Sequence, residues 1–170
     1  IGIGIPIHDP VGNMVVDIGG GTTDVAVISL GGIVHSRNIK IAGDKLSADI
    51  TAYLRNEFKI LIGEKTAEEI KIAIGNVGAH REPLEIAVRG RDLITGVPRE
   101  VVVTDAGVRE AVGLSIDTLI ESIKDIIEIT PPEVIADIMY RGIFVAGGGA
   151  LLRGFKDLLE DSLKIPVHIA

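Results

Sequence analysis

The 170-residue chain contains no cysteine. Disulfide frameworks, cysteine-ligated zinc and thiol nucleophiles are therefore excluded. Tryptophan is also absent, and two Tyr and three Phe are the whole aromatic content, so the core must be aliphatic. No apolar run reaches the ~18 residues of a membrane span, and no signal-peptide pattern is visible. Positive charge is scarce: 17 Lys and Arg stand against 24 Asp and Glu, giving a net charge of −7. That balance argues against a nucleic-acid partner and against a basic membrane-surface patch. Two familiar phosphate motifs are missing as well. No Gly-Lys pair occurs, so there is no Walker A loop. Counting six positions from Gly19 or Gly147 reaches Asp24 or Leu152, where a dinucleotide fingerprint needs glycine.

What remains is the composition of a folded protein, with 46% hydrophobic and 24% charged residues. Its length suits one domain with a real core. Glycine is abundant, 21 residues, and gathers in short clusters. The chain opens at Ile1 inside an apolar, glycine-alternating run, which reads as an internal piece of a longer protein. Met14–Asp17 reads as a short buried strand. Asp24–Leu30 and Ile33–Ile41 read as a hairpin turning at Gly31-Gly32. Leu46, Ile50, Tyr53, Leu54 and Phe58 fall on one helical face, with Asp44 or Ser47 near the start. Thr66 and Glu69 have capping-box spacing and are expected to open a second helix. Residues 75–83 read as loop, and Leu84–Val88 and Glu100–Val103 as strands. An apolar stripe from Val108 to Ile127 predicts a long helix over 105–129, stopped by Pro131-Pro132. Ile143–Ala146 reads as a buried strand, Phe155–Leu163 as a helix and Val167–Ile169 as a last strand. The fold class is mixed α/β.

The segment with most chemistry is Asp17-Ile18-Gly19-Gly20-Gly21-Thr22-Thr23-Asp24. A carboxylate ends a buried strand, three glycines turn the backbone, and two hydroxyls and an acid follow. Successive N–H groups without Cβ atoms can approach phosphate oxygens. Asp17 can hold Mg²⁺, which keeps several waters and uses few carboxylates. Thr22 or Thr23 can donate to a terminal phosphate. The plainer reading is a tight glycine turn with solvated Asp and Thr; the flanking Asp and Thr-Thr-Asp favour the phosphate site. A second run, Gly147-Gly148-Gly149-Ala150-Leu151-Leu152-Arg153-Gly154, follows another buried strand. It fits either an anion site at a helix start or a closely packed strand-to-helix turn. Glu68 and Lys71 stand one turn apart and can reach the same point, as a ligand contact or as a surface ion pair. His8, His35, His80 and His168 lack ligand spacing, Arg89-Gly90-Arg91-Asp92 reads as a solvated loop, and no Ser-His-Asp pattern is visible.

These residues carry a resemblance. Asp17–Asp24 resembles the second phosphate loop of the actin, chaperone-ATPase and sugar-kinase superfamily, and Gly147–Gly154 resembles its adenosine loop. Within it the chain is similar to the MreB family of bacterial rod-shape actin homologues, through Val25–Gly32, Leu61–Gly75, Val88–Gly96, Thr130–Glu133 and Arg141–Gly154. Asp24 stands where the family more often has Glu, and 77–87 fits less well. The resemblance implies an actin-like, ribonuclease H-like fold of which this chain is the second half. Residues 1–43 and 105–170 would form its core subdomain and 44–104 a small inserted one. It implies ATP and Mg²⁺ as cofactors, with Asp17 as the metal-associated acid and Gly19, Gly20, Gly21 and Thr22 on the β/γ-phosphates. Gly147, Gly148 and Gly149 would lie on the adenosine side, and Glu68 and Lys71 at the ribose and adenine edge. The water-orienting Glu would lie upstream of Ile1, so no catalytic residue falls in this chain and it is not expected to hydrolyse ATP alone. The implied role is a cytoplasmic filament beneath the membrane, growing head to tail and controlling cell shape with the membrane proteins of wall elongation. The other half would touch the membrane. Alternatives are a half-domain of a small-molecule kinase or chaperone ATPase, or an interaction module that binds no nucleotide.

Overall fold

A computed structural model describes residues 2–6, 8–78 and 82–170. His80 and part of the expected 75–83 loop lie outside the described residues. The strands form two sheets. The larger takes β1 (Asn13–Ile18), β2 (Thr23–Ser29), β3 (Gly32–Ile39), β7 (Ile143–Ala146) and β8 (Val167–Ile169) in the order β3-β2-β1-β7-β8. The smaller takes β4 (Ile60–Leu61), β5 (Glu85–Asp92) and β6 (Pro98–Thr104) in sequence order. β1, β2 and β3 are antiparallel neighbours, while β1, β7 and β8 are parallel. Parallel neighbours need a crossover, and α5 (Phe155–Leu163) supplies it between β7 and β8. The result is an α/β fold with a mixed sheet.

β1 lies in the middle of the larger sheet, so most of its side chains are covered: Met14 and Val16 are fully buried, and only Asp17 at its end is exposed. The buried side chains belong to one continuous cluster that reaches from Met14 and Val145 to Ile60 and Val103. Helices α1 (Gly43–Phe58), α2 (Glu64–Ile74) and α3 (Asp105–Ile129) contribute to it. Ser115 of α3 donates to Asp49 of α1 at 2.5 Å. Thr104 caps α3, accepting from Gly107 N–H at 3.1 Å. Asp105 accepts from Leu84 N–H at 3.1 Å, which fixes the start of β5 against that helix.

Several sequence expectations need correction. The hairpin between β2 and β3 turns at Leu30-Gly31, not Gly31-Gly32, because Ser29 pairs with Gly32. Both turn residues have positive φ, 54° and 74°, the type I′ geometry whose twist suits a tight hairpin. α2 starts at Glu64 behind an extended Gly63 with no side-chain cap. The Thr66–Glu69 capping box therefore does not form, since Ala67 N–H already bonds Gly63 C=O. α1 likewise has no side-chain cap from Asp44 or Ser47. Arg89–Asp92 is strand, not loop: Gly90 packs where a Cβ would lie 2.7 Å from Leu61 C=O, and Arg89 pairs across the ladder with Glu100. Pro131-Pro132 ends α3 but also begins α4 (Pro132–Arg141), a helix absent from the sequence expectations; proline is well tolerated at the first helical position.

Leu30 is an exposed leucine held at φ 54°, a conformation that costs a non-glycine residue roughly 1–2 kcal/mol. Leu30→Asn, giving the favoured Asn-Gly turn, should stabilise the protein by about 0.5–1 kcal/mol. A thermal melt should rise by roughly 2 °C; an unchanged or lower midpoint would show that contacts of Leu30 outweigh the backbone cost.

Candidate nucleotide site

The two glycine loops leave the sheet side by side because β1 and β7 are adjacent parallel strands in the register Asp17↔Ala146. Ligands of open α/β sheets bind beyond the carboxyl ends of such strands. In the first loop Gly19 N–H donates to Thr22 C=O at 3.0 Å and closes the turn. The carbonyls of Gly19 and Gly20 accept from Gly43 and Asp44 N–H at 3.1 and 2.8 Å. Those donors belong to the first turn of α1, whose N–H groups have no partner inside the helix. The loop thus replaces the missing side-chain cap, and α1 holds the loop in return. Among the described residues the N–H groups of Gly20, Gly21 and Thr22 form no hydrogen bond. Unpartnered successive N–H groups make an anion cradle.

The second loop runs through Gly147, at φ 86°, into a 3₁₀ turn over Gly148–Leu151, not directly into an α-helix. Only glycine serves at 147: besides its φ, a Cβ there would lie 2.6 Å from Asp17 Oδ1 and collide with Ile18 C=O. Gly148 N–H and Gly149 N–H form no hydrogen bond among the described residues.

Between the loops and α2 lies a cavity of about 560 Å³, a size that suits a small-molecule ligand. Gly19, Gly20, Glu68, Lys71, Gly148 and Gly149 all line it. Asp17, Gly21, Thr22, Thr23 and Gly147 do not. Asp17 is exposed at the end of β1 beside Gly147, and Gly21 is exposed. Of the two threonines, Thr22 is half-buried in the loop. Thr23 is 0% exposed and donates its hydroxyl to Ile41 C=O at 2.7 Å, so that side chain serves the fold. Among the described residues no three His, Cys, Asp or Glu side chains gather as a metal site.

Sequence reading missed part of the wall. Gly43 and Asp44 enter from α1, Ile72 from α2, and Leu151, Leu152 and Arg153 from the second loop. Ile72 and Leu151 are 66% and 76% exposed, which gives the cavity an apolar portion alongside the glycine backbone. Arg153 donates to Ala73 C=O at 2.8 Å and so ties that loop to α2. The one sequence signal for Ile72 is its place beside Lys71, off the buried stripe of Ala67, Ile70 and Ile74.

Glu68 and Lys71 do meet, at 2.7 Å. The hydrogen bond from Lys71 holds the Glu68 carboxyl below its usual 4.5, against partial burial, with help from Ser47 and the Lys71 charge.

A mixed sheet carrying two glycine loops at the ends of neighbouring parallel strands defines the class: an actin-like ATPase fold. The family model for MreB/Mbl protein matches residues 1–170. The chain belongs to the MreB/Mbl family. It is 51% identical over 170 residues to the cell shape-determining protein Mbl of Bacillus subtilis (strain 168), covering all of this chain and 51% of that protein. To the cell shape-determining protein MreB of Escherichia coli (strain K12) it is 45% identical over 170 residues, covering 100% and 49%. The crystal structure of MreB5 of Spiroplasma citri bound to AMPPNP superposes with a TM-score of 0.95 at 41% identity, over 99% of this chain and 51% of that one. The chain thus spans about half the length of the relatives it matches. Membership sets aside the kinase and chaperone alternatives.

Two measurements check this geometry. Gly147→Ala should destabilise the fold by at least about 1 kcal/mol from backbone strain alone. Gly148→Ala, where a Cβ meets nothing within 4 Å, should leave a urea denaturation midpoint nearly unchanged. The folded pKa of Glu68 lies below its unfolded value, so its contribution is complete above the ordinary 4.5 and is lost as pH falls through the folded pKa. Glu68 is half exposed, so the effect stays below about 1 kcal/mol. The stability gap between wild type and Glu68→Gln should be constant near neutral pH and close in acid.

Proposed function

We propose that this chain is the nucleotide-binding half of a filament-forming, cell-shape-determining actin-like protein, with Mg²⁺-ATP as its ligand. The observation that carries the reading is one cavity lined by both glycine loops and by apolar Ile72, Leu151 and Leu152. That division matches a ligand with an anionic end and a flat, weakly polar end. The first loop would cradle the β- and γ-phosphates through Gly20, Gly21 and Thr22. Gly147, Gly148 and Gly149 would stand at the adenosine side, with Glu68 reaching the ribose. That MreB5 of Spiroplasma citri is bound to AMPPNP in its crystal structure supports a nucleotide as the ligand.

The residues present also fit Mg²⁺. Asp17 is one exposed carboxylate next to both loops, and Mg²⁺ bound to phosphates takes one or two protein carboxylates and keeps its waters. The ion would neutralise phosphate charge, while the backbone N–H groups of this chain orient the phosphates. Residues 1–43 with 105–170 would act as one subdomain and 44–104 as a second that carries α2 to the ligand. Self-association would be head to tail, a contact that propagates and does not close. Among the described residues no helix is long and apolar enough to cross a membrane.

Calorimetry with ATP and ADP, with and without Mg²⁺, tests the reading on this chain. Wild type should bind both nucleotides. Asp17→Asn should lose most of the gain that Mg²⁺ gives, and bind metal-free ADP as wild type does. Absence of binding at millimolar nucleotide would overturn a preformed site in this half.

A further inference from the structure

Lys71 is nearly enclosed at the cavity wall, its side chain only 14% exposed. Its ammonium has three partners: Gly43 C=O at 3.0 Å, Ser47 Oγ at 3.2 Å and Glu68 Oε2 at 2.7 Å. Ser47 also meets that same Glu68 oxygen at 3.0 Å. An ammonium has three protons, so Lys71 is saturated without any ligand. Gly43, which it holds, is the residue whose N–H bonds Gly19 C=O in the first glycine loop. A Cβ on Gly43 would lie 3.2 Å from Lys71 Nζ and 3.5 Å from Gly19 C=O, so ammonium, helix start and loop are packed together. The next residue, Asp44, bonds Gly20 C=O.

From this chain of contacts we infer that Lys71 is a positioning residue for the phosphate end of the site. It clamps the first turn of α1, and that turn sets the loop that carries the N–H groups of Gly20 and Gly21. The inference rests on the nucleotide reading above and separates from it by a prediction of its own. A lysine that touches the sugar would weaken adenosine, ADP and ATP alike when removed. A lysine that sets the loop weakens only ligands with phosphates.

The test compares wild type, Lys71→Met and Ser47→Ala by calorimetry with adenosine, ADP and ATP, at low and high salt. It adds amide hydrogen exchange of the unliganded proteins. Lys71→Met should lose about tenfold in ADP and ATP affinity, the scale of a hydrogen bond to a charged group, and less than about twofold for adenosine. The loss should persist at high salt, where through-space attraction between ammonium and phosphate is screened. The amides of Gly43 and Asp44 should exchange faster while those of β1 and β7 stay as in wild type. Ser47→Ala, which keeps the charge, should move every readout the same way by less, and stands in if Lys71→Met does not fold. Equal losses for adenosine and ADP overturn the inference and leave the nucleotide reading standing. So does a loss that vanishes at high salt, or unchanged exchange at Gly43 and Asp44. A wild type that binds none of the three ligands overturns both.

Discussion

The parallel pairing of β1 with β7 is the constraint on which the site depends. Asp17 pairs with Ala146, so two segments far apart in sequence end at the same edge of the sheet, and each continues into glycines. A slip of one residue would turn every side chain of one strand to the other face. Met14, Val16, Ile143 and Val145, all buried without exposure, hold the register by their burial. Core packing therefore fixes where the loops start, and the absence of side chains at Gly147 and Gly149 lets them approach: a Cβ at either would collide with Ile18.

Loop position alone does not aim N–H groups. That task falls to the start of α1, which has no side-chain cap and gives its first two N–H groups to the carbonyls of Gly19 and Gly20. The exchange satisfies both parties. Helix donors that would be orphaned find acceptors, and loop carbonyls are drawn toward α1. The first loop and the segment that follows the hairpin are thus one unit, although the whole of β2 and β3 lies between Gly20 and Gly43.

Much of this was legible beforehand because it rests on local chemistry. Strand, triple glycine, Thr-Thr-Asp is a local pattern, and the long stripe of α3 declares itself by its period. What escaped the sequence was set by contacts distant in the chain. α1 is capped by loop backbone and α2 has no side-chain cap, so the Ser and Thr residues that ordinarily mark a helix start misled. Thr22 and Thr23 look equivalent in the sequence, yet only the pairing of β2 puts the Thr23 hydroxyl on Ile41 C=O. Pro132 reads as a stop and is also a start. Ile72, Leu151 and Arg153 belong to the cavity only because α2 packs beside the second loop, and no spacing rule links positions so far apart.

The character of the charge at Lys71 follows from the same geometry. A buried ammonium is costly unless each proton finds an acceptor, and here a carbonyl, a hydroxyl and a carboxylate surround it. Arginine would serve badly: its planar fork suits a bidentate partner, whereas three acceptors around one point suit a compact ammonium. Glu68 supplies the opposite charge, and its depressed pKa keeps it ionised while the lysine is held. The carboxylate is half exposed and the ammonium nearly enclosed, so the pair has a wet end and a dry end. The dry end faces Gly43 and, through it, the loop; the wet end is the one open to a ligand. The two residues that look interchangeable as an ion pair in the sequence therefore divide their work in the folded chain, one toward the backbone that shapes the site and one toward the space that the site encloses.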